Sequence, residues 1–243
     1  MLKPAPADVI AANLARVNAA IHDATIQAGR RPAEVELIAV SKTQPAAAVA
    51  AAVAAGQRRF GESTVQDALT KIPAFAGQGL EWHFIGHLQS NKAKHIPGHF
   101  AWLHSLDSLK LAERVARFAT EAQATVNALI EVNISRDPAR HGVNPDQLLP
   151  LLEQLLNAGL PALNLRGLMA IGPHPATETE RRAAFAALRG WRERCAHTLA
   201  LPGFTELSMG MSDDFREAVL EGSTLVRIGT AIFGQRDYPD RSE

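Results

Sequence analysis

The chain has one cysteine, Cys195, and one tyrosine, Tyr238, among 243 residues. A single cysteine excludes an intrachain disulfide and the stapled scaffolds of small secreted proteins. Net charge is also missing, because 25 Lys+Arg balance 25 Asp+Glu. The chain therefore lacks the basic footprint of a protein that lives on nucleic acid. No apolar run approaches the roughly 20 residues of a membrane span. The first eight residues lack the apolar stretch of a secretory signal. Together these absences point to the cytoplasm. There is no GxSxG, no P-loop and no GxGxxG. Lysine is scarce: the six are Lys3, Lys42, Lys71, Lys92, Lys94 and Lys110. Chemistry that needs an amine nucleophile has only these to draw on.

What is present is a regular alternation. Val9, Ile10, Leu14, Val17, Ile21 and Ile26 recur at helical spacing, and Gly29 stops that helix within residues 1–30. Apolar runs at 35–40, 59–61, 81–86, 101–106, 128–134, 163–171, 205–209 and 224–233 read as eight strands. Helical patterns separate most of them, and a short helical turn from Ser90 follows the third. Pro45 opens an Ala-rich helix that closes at Gly56, the expected asymmetry of Pro at the start and Gly at the end. Phe185, Leu188, Trp191 and Cys195 mark the inner face of another helix. Asp214 and Glu217 have the spacing of a capping box.

Strands separated by helices argue for parallel βαβ units. Eight such units in this length predict a closed (β/α)8 barrel, a fold that commonly uses about 250 residues. The expected organisation is a single domain: an extra N-terminal helix in 1–30, a barrel over 35–234 and a loose polar tail at 235–243. An open doubly wound sheet is the rival. For a dinucleotide it needs a Gly-rich first turn, and here that turn reads Ser41-Lys42-Thr43-Gln44-Pro45.

Barrel sites lie at the C-terminal ends of the strands. Strand one ends in Lys42, at an apolar mouth where desolvation lowers an amine pKa and favours Schiff-base chemistry. A solvated loop lysine is the plainer alternative. Strand eight supplies Arg227, Gly229 and Thr230. Strand seven supplies Ser208, Met209 and Gly210. Small residues and hydroxyls after the last two strands are the usual barrel phosphate site, although glycines there also relieve crowding at the rim. Closure puts strand eight beside strand one. An amine at one end and a phosphate site at the other bracket a small phosphorylated aldehyde, pyridoxal 5′-phosphate (PLP). Arg227 falls between them and opposes protonation of a pyridine nitrogen. The histidine pairs His83/His87 and His95/His99 lack the spacing and partners of a metal site, so no metal is expected.

The segments AVSKTQP, RRFGES-VQ, EWHFIGHLQSNKAK, LHSLDSLKLA, IEVNIS, LRGLMAIGP, LSMGMSDDF and VRIGTAIFG resemble the YggS/PROSC family of PLP-binding proteins. The resemblance runs from about residue 37 to residue 234. It implies a fold type III PLP barrel similar to the N-terminal domain of alanine racemase. It implies PLP held as an aldimine on Lys42, with phosphate contacts from Ser208, Gly229 and Thr230 and a pyridine-facing Arg227. Met209, Met169 and His87 are implied near the ring, as is Ser63, which replaces the family's usual Asn. Arg140 stands in the loop where the family carries a lysine. Family members bind PLP and buffer or deliver it, with apo-PLP enzymes as transient partners and no established turnover. A PLP-dependent racemase is the alternative, and a PLP-independent phosphate-sugar enzyme is a third reading. Racemisation needs an acid/base on each face of the α-carbon. In racemases resembling this barrel, the second is a tyrosine from another domain. The chain is expected to stop after strand eight, with Tyr238 in the tail, so the carrier reading is favoured. A monomer suffices for it.

Overall fold

The computed structural model describes residues 5–234. The 235–243 segment and Tyr238 lie outside them. Eight parallel strands close a barrel in sequence order. They are β1 (Glu36–Val40), β2 (Arg59–Glu62), β3 (Glu81–Phe84), β4 (Trp102–Leu106), β5 (Val126–Glu131), β6 (Leu163–Met169), β7 (Glu206–Ser208) and β8 (Leu225–Ile228). Closure is explicit: Ile38 of β1 pairs with Arg227 of β8. The eight expected strands therefore exist, in the expected barrel.

Around them lie α1 (Ala7–Gln27), α2 (Ala46–Ala54), α3 (Val65–Lys71), α4 (Leu109–Glu121), α5 (Leu148–Asn157), α6 (Glu178–Thr198), α7 (Phe215–Leu220) and α8 (Thr230–Phe233). The crossover from β3 to β4 is only a 3-10 helix, Ser90–His95. Its Pro97-Gly98 end leaves no length for a regular helix. The stops act as expected, since Gly29 and Gly56 take φ of 69° and 96°, a region cheap only for glycine.

Several boundaries differ from the sequence reading. The apolar stripe of α1 is narrower: Ile10, Leu14, Val17 and Ile21 are buried, whereas Val9 and Ile26 are 41% and 53% exposed. Residues 230–233 form α8 rather than more of strand eight. The two states share the same short apolar run, and the ladder ends where the barrel rim ends. Asp214 does not make the expected capping box. Its Oδ1 accepts from the Met211 amide at 2.6 Å, and Glu217 instead pairs with Arg181 at 2.6 Å. The box forms on α6, where Thr177 and Glu180 satisfy each other's backbone amides.

The apolar core is mostly the layer between sheet and helices. Cys195 belongs to it, fully buried, and burial pushes its thiol up to about 11. Inside the barrel the apolar filling is small: Ile38, Leu129, Met169 and Leu225, with Trp102 against them. Polar side chains share the interior, with His83, His104, Ser208 and Arg227 all buried. Parallel barrel interiors are usually packed with branched aliphatics, so this polar filling needs an explanation of its own.

Candidate functional site

The C-terminal ends of β1, β6 and β8 and the loop after β7 surround one cleft of about 200 Å³. Lys42, Met169, Arg227, Gly229 and Thr230 line it, together with Ser212. Five of the nine residues expected from the sequence thus meet in one place. Each reaches it because a barrel strand delivers the residue at or just past its end to the mouth.

The backbone around Lys42 is held tightly. Thr43, the next residue, sits at φ 64°, an uncommon conformation for a β-branched residue. Its amide donates to Asp67 Oδ2 at 2.7 Å. Lys71 Nζ donates to the Ser41 carbonyl at 2.8 Å and pairs with Glu62 at 2.7 Å and Asp67 at 3.0 Å. The Ser41 hydroxyl donates to Glu62 at 2.6 Å. Residues on both sides of Lys42 are therefore anchored to β2 and α3. Burial pushes Glu62 up to about 7, against the pull of Lys71 and Ser41. Lys71 is not a second nucleophile at the mouth: its side chain is buried in this cluster.

At the other end of the cleft the chain turns from β8 into α8. A Cβ on Gly229 would lie 3.1 Å from the Val40 carbonyl oxygen. A side chain there would press on Val40, so glycine eases the close passage of β8 beside β1. The Ser212 hydroxyl lies 3.4 Å from the Ala231 amide. Ser212 and Thr230 thus line the cleft at a backbone turn, residue types suited to an anion.

Arg227 lies between these ends. It donates through Nη1 to the Ser208 carbonyl at 2.7 Å and to the Ser208 hydroxyl at 2.6 Å. Nη2 donates to the Ala170 carbonyl at 3.1 Å. A guanidinium has five N–H groups, so donors remain for the cleft that it lines. Burial pulls its pKa down to about 10, with Asp214 and Glu131 acting in the opposite sense. It is still charged at neutral pH.

Four expected residues lie elsewhere. Ser208 is fully buried, and its hydroxyl faces Arg227 and His104 rather than the phosphate end. Side chains alternate along a strand, so Met209 faces outward into the helix layer. The serine of LSMGMS that lines the cleft is Ser212. Ser63 and His87 line a neighbouring pocket beside Gln66 and Lys92. The His87 ring stacks on His141 at 3.9 Å. Arg140 bridges loops, donating to the Gly172 carbonyl at 2.7 Å. Sequence reasoning also missed Glu62, Lys71 and Ser212. Ser212 was within reach, because it lies in the same motif as Ser208. Among the described residues, no group of three or more His, Cys, Asp or Glu could hold a metal ion. None of their helices is long and apolar enough to cross a membrane.

The chain, a closed barrel with Lys42 just past β1 and Arg227 on β8, belongs to a known class of barrels. The family described as "Alanine racemase, N-terminal domain" matches residues 10–237. Within that class it is similar to a "Pyridoxal phosphate homeostasis protein" of Pseudomonas aeruginosa. Identity is 48% over 229 residues, covering 94% of this chain and 96% of the relative. The protein of the same name from Escherichia coli K12 is 46% identical, with 94% and 97% covered. PipY of Synechococcus elongatus, solved with PLP bound, superposes with a TM-score of 0.81 at 40% identity, covering 93% of this chain and all of PipY. Alanine racemase from Corynebacterium glutamicum shares the fold, with a TM-score of 0.66 at 20% identity, covering 97% of this chain and 63% of the racemase.

Proposed function

We infer that this chain binds pyridoxal 5′-phosphate in the β1/β6/β8 cleft and takes part in PLP homeostasis, buffering or delivering the cofactor. The observation that carries the reading is the convergence of Lys42, Arg227 and the Gly229–Thr230 turn on one cleft. The relatives' names and the PLP-bound PipY neighbour support it.

The residues present fit the group. Gly229, Thr230 and Ser212 line one end of the cleft, at the turn from β8 into α8. That end takes the phosphate. Arg227, a fixed donor, would face the ring nitrogen. Met169 forms an apolar wall. Lys42 supplies the amine for a covalent Schiff-base link. When bound, PLP supplies an aldehyde that condenses with an amine, with loss of water, and a ring that absorbs visible light. Ser41, Glu62, Asp67 and Lys71 hold the Lys42 backbone at the mouth. A charged Arg227 keeps a proton off the ring nitrogen, which makes the ring a weak electron sink. That is poorly suited to aminotransferase chemistry; the relatives' names, homeostasis proteins rather than enzymes, support the carrier that we propose. The same reading has the barrel and α1 act as one unit, as a cytoplasmic monomer that meets apo-PLP enzymes transiently.

Two measurements test it. Borohydride reduction of the PLP-loaded protein should fix a mass adduct that maps to Lys42, and Lys42→Ala should abolish it. An adduct unchanged in Lys42→Ala sinks the assignment. Incubation with several amino acids in deuterium oxide should give little α-carbon exchange, whereas rapid stereospecific exchange would establish an enzyme.

A further inference from the structure

The polar filling of the barrel is continuous. Arg227 Nη1 meets the Ser208 hydroxyl at 2.6 Å. That hydroxyl meets His104 Nδ1 at 2.8 Å. His104 Nε2 meets His83 Nδ1 at 3.0 Å, and His83 Nε2 meets Glu81 Oε1 at 3.1 Å. Arg227 and Ser208 lie on β8 and β7, His104 and Glu81 on β4 and β3. The path therefore crosses the barrel interior. It ends at a half-exposed carboxylate at the N-terminal end of β3, beside Arg59.

The direction of every bond follows from its two ends. A guanidinium only donates, and a carboxylate only accepts. A neutral imidazole has one donor and one acceptor. Glu81 accepts from His83, so the His83 proton is on Nε2 and its Nδ1 accepts from His104 Nε2–H. His104 Nδ1 is then an acceptor, and the Ser208 hydroxyl, which accepts from Arg227, donates to it. Both rings are fully buried. Burial pushes both pKa values down, that of His104 furthest, where the neighbouring His83 and Arg227 add to it. Both imidazoles are therefore neutral, as the chain requires. An imidazolium at either place has two donors and breaks it. Hydrogen bonds in series polarise one another, so the charge at Glu81 reaches Arg227 through four links.

We propose that Ser208, His104, His83 and Glu81 are positioning residues for Arg227, forming a one-directional hydrogen-bond chain through the barrel. The chain locks the guanidinium beneath the cleft and couples it to a carboxylate at the opposite end of the barrel. The positioning half rests on the reading that PLP binds in the cleft with its ring nitrogen toward Arg227. The directional half does not.

The test uses the full chain labelled with ¹⁵N-histidine, with and without PLP. In the cofactor-free protein at neutral pH, both His83 and His104 should carry their proton on Nε2. A proton on Nδ1, or an imidazolium, at either ring overturns the direction. Glu81→Gln keeps the size and shape of a half-exposed side chain and removes its charge. It should alter both rings together, either as a common shift of the two Nε2–H resonances or as a joint switch of tautomer. A response at His83 with none at His104 overturns the coupling. Ser208→Ala should weaken PLP binding about tenfold or more, the loss expected for one hydrogen bond to a charged group. Ser208→Thr, which restores the hydroxyl, should recover it. Unchanged affinity in Ser208→Ala refutes positioning. A wild-type protein that takes up no PLP sinks the functional reading on which that half rests, and the ring protons still decide the chain.

Discussion

Lys71→Met is the most informative single perturbation, because it opens the cluster that holds Lys42. The Lys71 side chain is 3% exposed and its partner Glu62 is fully buried. Methionine keeps most of the volume and removes the charge. It leaves Glu62 buried without its cation, and it leaves the Ser41 carbonyl without its donor. Removing one partner of a buried pair costs about 3–5 kcal/mol. Protonation of Glu62 relieves part of that cost, and here the pH dependence follows. Lys71 lowers the Glu62 pKa, which burial has already raised to about 7. Without Lys71, the folded-state pKa moves higher still. The unfolded value is 4.5, so between the two the folded state keeps a proton that the unfolded state has lost. Stability then falls as pH rises across that window, by about 1.4 kcal/mol per pH unit at most. Wild-type Glu62 already holds its proton up to about pH 7, so below that pH both proteins lose stability almost alike. From pH 7 to 8.5 the penalty of Lys71→Met should grow by up to about 2 kcal/mol. Urea unfolding followed by tryptophan fluorescence at both pH values reads this directly. Glu62→Gln/Lys71→Met removes both charges and should recover most of the loss, since a buried pair replaced as a whole is nearly neutral. A penalty below about 1 kcal/mol at pH 8.5, or one that does not change with pH, refutes the argument.

Two further outcomes follow from the barrel wall and the core. Gly167 takes φ 156°, and a Cβ there would fall on the Glu206 carbonyl. Gly167→Ala should therefore disrupt the β6–β7 register and cost about 3 kcal/mol or more, scored by urea unfolding; a neutral result refutes the close approach. Phe185 is fully buried on α6, so Phe185→Ala should cost about 3–5 kcal/mol and lower the melting temperature, while a cost under about 1 kcal/mol would show that the site collapses freely.

Strand number and order were legible because each strand is an apolar run bounded by turn residues. Strand ends were less so. Apolar residues continue past the ladder into the rim, as Ala170 and Ile171 do after β6 and Ala231 to Phe233 do after β8. A four-residue apolar run fits a strand and a helical turn equally well. Lys42, Arg227, Gly229 and Thr230 could be found because each lies in the last two residues of a strand or just past it. Ser208 was misplaced for the opposite reason. It ends β7 with its side chain turned inward, and the loop after it carries Ser212 to the cleft.

The order of residues alone determined the barrel and the strand-end position of Lys42 and Arg227, because alternation, length and a residue's place at a strand end are properties of the chain in one dimension. Its single cysteine and six lysines likewise narrowed the candidate chemistry. Which polar groups meet was decided only by closure. Glu62 and Lys71 are nine residues apart, on β2 and α3, and nothing in that spacing marks a buried pair. Glu81 and Arg227 are brought into one hydrogen-bond chain only because β3 and β4 stand across the barrel from β7 and β8. Burial then makes the imidazoles neutral and fixes the direction of their protons, a property of the enclosed volume rather than of any motif.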